Sequence, residues 1–293
     1  MYLEQSLARN HLVKDWPASA FLELVELSTK SVIGFRHDFK TAGALYRSWR
    51  TLLLDDPIWT GELESWTNRL EKPEAILIVS AHWESAPLAL SSVESGTPLI
   101  YDFGGFDPKF YNLQYRAPGA PALAARIKSI IGEGQTQQTT RGLDHGAYVP
   151  LLKMFPNADI PVLQMSIPTF APEKLFEIGK KLAPLRDEGV LIIGSGFLTH
   201  GLPYLRDFRI EAEPPTWSTE FDLWAKDILE RGAVDELMNY KALAPGLPYA
   251  HPTVEHFAPI FLTLGAATNA EAPITSEIDG YWMGLSKRSF QVA

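Results

Sequence analysis

Residues 75–83 read AILIVSAHW, and the fold turns on that stretch. Residues 75–80 are mostly apolar and partly β-branched, the pattern of a strand buried on both faces of a parallel sheet. The run halts at Ser80-Ala81, and His82 follows directly. In open α/β sheets, ligands gather just beyond the carboxyl ends of the strands. His82 stands in that place. A histidine there can also do no more than bond backbone carbonyls, so its weight comes from other histidines placed alike.

Working outward, Glu71-Lys72-Pro73 forms a turn before this strand, and a helix is expected over 61–70. A second strand is expected near 87–90. Tyr101-Asp102-Phe103-Gly104-Gly105-Phe106 sets paired glycines beside aromatics, as a tight, ordered loop does. The full Gly-rich nucleotide signatures are absent. The stretch 121–131 (PALAARIKSII) reads as a helix with proline favourably in its first turn. Asp144-His145-Gly146 leads into a helix over 147–155, followed by a strand over 160–167 and a helix over 172–185. The strand 190–193 then ends in Gly194-Ser195-Gly196-Phe197-Leu198-Thr199-His200 and repeats the arrangement at His82. A helix over 216–231 places Trp217, Phe221, Trp224, Ile228 and Leu229 near helical spacing. Pro252-Thr253-Val254-Glu255-His256 is expected to open a helix with Thr253 as N-cap and His256 in the first turn. Residues 281–292 read as a closing strand. At the other end, residues 1–30 read as an N-terminal helical extension, and 31–35 (SVIGF) as a short first strand with His37 at its exit. The expected fold is therefore a single α/β domain over 31–293. Its central sheet is largely parallel or mixed and flanked by helices, with the active site at the strand carboxyl ends.

Composition narrows the function. At 46% hydrophobic and 21% charged over 293 residues, the chain is that of an ordinary globular protein with a sizeable core. The net charge of −9 argues against nucleic acid and against an anionic membrane surface as partners. No apolar run approaches the ~18–20 residues of a membrane span. No secretory signal pattern precedes the fold, so a cytoplasmic location is expected. There are no cysteines, which excludes disulfides and thiolate metal sites and leaves His, Asp and Glu as the strong metal ligands.

His82, His145, His200 and His256 all fall at element ends, four of the seven histidines in the chain. Histidine is both the commonest metal ligand and the natural general base near neutral pH. Neutral imidazoles with a carboxylate suit zinc or ferrous iron. There is no HExxH, and His251 and His256 are five apart, so they cannot share a helix face as that signature requires. Gly194-Ser195-Gly196 lacks the full Gly-x-Ser-x-Gly of a nucleophile elbow, because Ile193 and Phe197 occupy the outer positions.

Together, Ser80-Ala81-His82-Trp83, the 101–106 loop, Tyr115-x-Ala117-Pro118-Gly119-x-Pro121, Asp144-His145-Gly146, Gly194-Ser195-Gly196 with His200, and Pro252-Thr253-x-Glu255-His256 resemble the class III extradiol ring-cleavage dioxygenases. The nearest subgroup is the 4,5-DOPA extradiol dioxygenases, related to the catalytic subunit of protocatechuate 4,5-dioxygenase. The resemblance covers about residues 73–290. It implies that His82 and His256 are metal ligands, that His200 is the catalytic acid/base close to the metal, and that His145 bonds to substrate or oxygen in the pocket. It implies Fe(II) as cofactor, with Zn(II) able to occupy the same site, and a small aromatic diol and O2 as substrates.

One departure stands out. The family begins with a strand ending in His-Gly-Ser-Pro, whose histidine is a further metal ligand, and no His-Gly-x-Pro occurs in this chain. His37, followed by Asp38-Phe39-Lys40, is the nearest candidate for that ligand. Arg116 is a candidate partner for a substrate carboxylate, since an arginine fork suits one; a solvated loop arginine is the alternative. Two other functions are compatible with the same scaffold: a zinc-dependent hydrolase, and a metal-binding protein without enzymatic activity. Monomer and homo-oligomer both remain open.

Overall fold

The computed structural model describes residues 52–104 and 107–292, all within one compact unit. His37, the 31–35 strand and the 1–30 extension lie outside the described residues. The central strand β1 spans Ala75–Glu84. Its alternation divides the core. Leu77 and Val79 join one hydrophobic cluster, Ile76 and Ile78 the other, and all four are fully buried. Each such side chain contributes roughly 1.5–3 kcal/mol of burial, which pins the register of β1, because a one-residue slip would exchange its faces.

Around β1 the main sheet has five strands among the described residues. The others are β2 (Leu88–Leu90), β3 (Thr136–Gln138), β4 (Val162–Ile167) and β5 (Val190–Ser195). Their order is β3-β2-β4-β1-β5. β4 and β5 both run parallel to β1, with Ile76 opposite Val162 on one side and Leu191 on the other. β2 is antiparallel to β4 and parallel to β3, so the sheet is mixed at one side. β5, expected as a buried strand, is mostly half-buried; among the described residues it pairs along one edge only, and it borders a cavity.

Helices cover both faces. α1 (Pro57–Thr67) is capped by Asp56, whose carboxylate accepts from the Ile58 and Trp59 amides, and it packs with α3 (His145–Met154) on one side. α2 (Pro121–Ile131), α4 (Pro172–Leu182), α5 (Thr216–Arg231) and α6 (Pro259–Gly265) supply residues to the other cluster. α6 begins three residues after His256, later than the sequence predicts. The His256 carbonyl is taken by the Phe197 amide at 3.2 Å, and Thr253 bonds the Glu255 carboxylate through its hydroxyl instead of capping a helix. The expected closing strand is broken into two small antiparallel pairs. β6 (Ser276–Ile278) pairs with β9 (Ser289–Phe290), and β7 (Tyr281–Trp282) with β8 (Leu285–Ser286). Met283 and Gly284 both adopt positive φ, 54° and 77°, which turns the chain back on itself.

α4 and α6 touch closely at Gly179. A Cβ there would come within 2.1 Å of the Leu262 carbonyl oxygen and 2.9 Å of the Ala266 nitrogen. Alanine normally favours a helix over glycine by about 1 kcal/mol, but here the backbone contact decides the sign. Gly179→Ala is expected to destabilise by about 1–3 kcal/mol, seen as a Tm several degrees lower in thermal unfolding.

Candidate metal and active site

Because β1 and β5 run parallel, their carboxyl ends open on the same side, and Ser80 lies opposite Ser195 in the register. Two residues beyond Ser80, the His82 amide donates to the Ser80 hydroxyl at 3.1 Å, where the β1–β4 register shifts. The Ser195 hydroxyl donates to the Gly146 carbonyl and ties β5 to the first turn of α3. His145 opens that helix because Asp144 caps it, accepting from the Ala147 amide at 3.2 Å. Asp144 is fully buried and held by Gln164 of β4 and by Arg141, whose guanidinium also stacks over Trp83. At Gly146 a Cβ would fall 2.2 Å from the Ser80 hydroxyl and 3.0 Å from the His82 ring. Only glycine lets the helix start this close to the strand end.

Four imidazoles from four separate segments form one row. The His145 and His82 ring centroids are 3.9 Å apart, those of His82 and His256 4.9 Å, and those of His256 and His200 3.5 Å, the last pair stacked at 15°. All the histidines singled out from the described part of the sequence are thus brought together. Arg116 is not. Its neighbours Tyr115 and Ala117 are buried, with the Tyr115 hydroxyl bonded to the Phe155 carbonyl at 3.1 Å, and the alternation turns Arg116 outward, away from the cavity lining.

The sequence reading missed two carboxylates. Asp102 arrives through the 100–104 loop, which docks on the chain before α3 by the Ile100 amide donating to the Leu143 carbonyl at 2.8 Å. Asp102 Oδ1 accepts from the His145 amide at 3.2 Å and lies 2.7 Å from His145 Nδ1, while Oδ2 is 3.8 Å from His82 Nδ1. A carboxylate accepts, so Nδ1 of His145 carries the proton and Nε2 is left to face a ligand. Burial alone would raise the Asp102 carboxyl, but hydrogen bonding to His145 and electrostatic attraction to the His145 and His82 rings outweigh it and hold it below the usual carboxylate value. Glu255 is the second. Its carboxylate lies within 4.8 Å of ligand atoms of His200 and His256, as Asp102 does for His82 and His145. Both residues sat inside motifs already quoted, yet nothing in their spacing distinguishes them from ordinary loop carboxylates.

The row borders a cavity of about 400 Å³. Its wall is aromatic near the histidines: Phe197 meets Trp59 edge-on at 5.4 Å and Trp282 at 6.1 Å. Val149, Leu202 and Leu285 extend the apolar lining. Such a slot suits a flat ring with polar substituents turned toward the imidazoles. The donor set, imidazole nitrogens and carboxylate oxygens within a few ångströms and no thiolate, fits a non-haem iron or zinc ion. Among the described residues, no helix is long and apolar enough to cross a membrane.

The chain is similar to known proteins over most of its length. Residues 56–283 match the family model described as the catalytic LigB subunit of aromatic ring-opening dioxygenase. A 4,5-DOPA dioxygenase extradiol from Beta vulgaris is 42% identical over 233 residues, 76% of this chain and 84% of the relative. One from Escherichia coli K12 is 37% identical over 247 residues, 82% of this chain and 90% of the relative. The crystal structure of an uncharacterized Escherichia coli K12 protein superposes with a TM-score of 0.69 at 34% identity, covering 82% of this chain and 94% of that one.

Asp102→Asn keeps the shape but removes the charge that orients His145 and His82. Partners of this kind are typically worth 10–100-fold. Metal affinity or turnover is expected to fall by about that factor, with the far-UV circular dichroism unchanged, measured by metal titration and steady-state kinetics.

Proposed function

Because the chain belongs to the LigB family of aromatic ring-opening dioxygenases and is an extradiol dioxygenase, we propose that it opens a catechol-type diol with O2, in an Fe(II)-dependent reaction that cuts the ring beside the two hydroxyls. The observation that carries this reading is the row of four imidazoles closing one side of an aromatic-walled cavity. His82 and His256 would hold the metal, and His37 is proposed as a further ligand on sequence grounds. Fe(II), when bound, brings diol and O2 together and supplies the electronic path between them.

The protein's own groups do the rest. His200, stacked on His256, would take a proton from a substrate hydroxyl. His145, with Nδ1 committed to Asp102, presents Nε2 to substrate or oxygen. Phe197, Trp59 and Trp282, packed on one another, would give the flat ring one apolar wall to lie against and keep water from the reacting carbon. The hydrolase and non-enzymatic readings are not favoured, because the relatives of known name are dioxygenases.

The test is anaerobic loading with Fe(II), addition of a catechol panel headed by DOPA, for which two of the relatives are named, and then O2. Uptake of O2 matched by a coloured ring-opened product is expected. Iron bound without uptake would overturn the reading. Stripping the metal with a chelator should abolish turnover, Fe(II) should restore it, and Zn(II) should fill the site without restoring it. His200→Ala should retain the metal and lose about 10²–10⁴-fold in kcat, the usual worth of a positioned acid/base. His37→Ala should lower iron retention at equilibrium dialysis.

A further inference from the structure

His251 is a histidine that the proposed chemistry does not use. It is 3% exposed, the turn after the helical Leu247–Ala250 segment holds its amide on the Leu247 carbonyl at 2.8 Å, and its ring packs against Phe221 of α5 at 5.1 Å and Phe257 at 5.2 Å. Its Nε2 lies 2.8 Å from the Leu198 carbonyl. A carbonyl can only accept, so Nε2 carries the proton. Nδ1 is buried with no hydrogen-bond partner among the described residues. Burial pulls the imidazole down to about 4, against a smaller opposite effect of the Leu198 hydrogen bond, so it stays neutral and keeps that one donor. A buried polar atom left unsatisfied costs about 1–3 kcal/mol. An apolar residue would avoid that cost, which makes the single Nε2–H bond the feature to explain.

That bond is one of three joining the segment that carries His200 to the segment that carries His256. The Phe197 amide donates to the His256 carbonyl at 3.2 Å, the His200 amide to the Ala250 carbonyl at 2.7 Å, and His251 Nε2–H to the Leu198 carbonyl between them. Neither segment is regular helix or strand, so no ladder of backbone bonds holds them in register. His251 is the side-chain member of the clamp. Next along the chain from Leu198, the Thr199 hydroxyl accepts from the Ser286 amide at 2.8 Å and meets the Ser218 hydroxyl at 2.9 Å, which anchors the far side of the same loop.

We infer that His251 is a positioning residue: by holding the Leu198 carbonyl it fixes the 197–200 loop so that the His200 ring lies flat on His256, in the orientation its proton transfer requires. The inference rests on the acid/base reading of His200. His251 touches neither substrate nor metal, so its removal should act on kcat and on the pH dependence of turnover, leaving KM and iron stoichiometry alone.

The test uses the full-length iron-loaded protein with His251→Gln, His251→Asn and His251→Phe. Glutamine extends its amide N–H about as far as imidazole Nε2, whereas asparagine stops near the Nδ1 position and phenylalanine keeps the ring without a donor. Expected are wild-type iron stoichiometry and KM in all three, a kcat about 10–100-fold lower for Asn and Phe with a displaced pH–rate limb, and recovery of most of kcat and of the limb in Gln. Should Phe not fold, the Gln and Asn pair carries the comparison. Wild-type kcat and pH profile in Asn or Phe would overturn the inference. So would equal losses in Gln and Asn that track Tm, which is the signature of a merely structural residue. A wild-type protein inactive toward every diol would instead overturn the function on which the inference rests.

Discussion

Everything at the site depends on parallel pairing of β1 with β5. Two adjacent parallel strands must leave the sheet at the same end, so the segment with His82 and the segment leading to His200 are delivered side by side without any attraction between the histidines themselves. The pairing is held where chemistry plays no part, in residues such as Leu77 and Val79 sealed between helical layers. Hydrophobic burial thus sets the position of polar groups that, left to themselves, would stay in water.

Bringing four imidazoles within contact of one another is unfavourable unless something else orders them. The structure does this with small, buried polar devices beneath the ring row. Asp144 caps α3 and is itself satisfied by Gln164 and Arg141, so the helix start that carries His145 cannot drift. The Ser80 hydroxyl accepts from the His82 amide on its own strand, and the Ser195 hydroxyl donates to the Gly146 carbonyl of α3. Each bond is worth about 1 kcal/mol net, but together they leave the rings few alternative placements. The aromatic wall adds rigidity from the opposite side, since Trp59, Phe197 and Trp282 pack on one another as well as on the cavity.

The two halves of the site are held by different physics. His82 and His145 sit on regular elements, a strand end and a helix start, and share one carboxylate in Asp102. His200 and His256 sit on irregular chain, cross-braced by three hydrogen bonds between the 197–200 and 250–256 segments. The first half is stiff because its backbone is committed to sheet and helix. The second is stiff only because of its cross-bonds, which makes it the half that single side chains can tune.

Much of this was legible in the amino-acid order. The run 75–80 announces a doubly buried strand, the helix over 216–231 has the bounds that its spacing predicts, and the histidines at element ends point to one site. These features are local: periodicity, punctuation by proline and glycine, and residue type. What only the tertiary structure decided depends on groups far apart in sequence. Asp102 became the partner of His145 through a loop contact 43 residues away, a relation no local pattern encodes. α6 starts later than Thr253 suggests because Phe197, from another segment, claims the His256 carbonyl. Arg116 turns outward because its two neighbours are needed in the core. The 281–292 strand folds into hairpins because Met283 accepts a left-handed conformation that its residue type does not advertise. Sequence alone determined which elements form and which residue types could do the chemistry. Competition among distant groups for the same backbone atoms and the same buried space determined which of them meet.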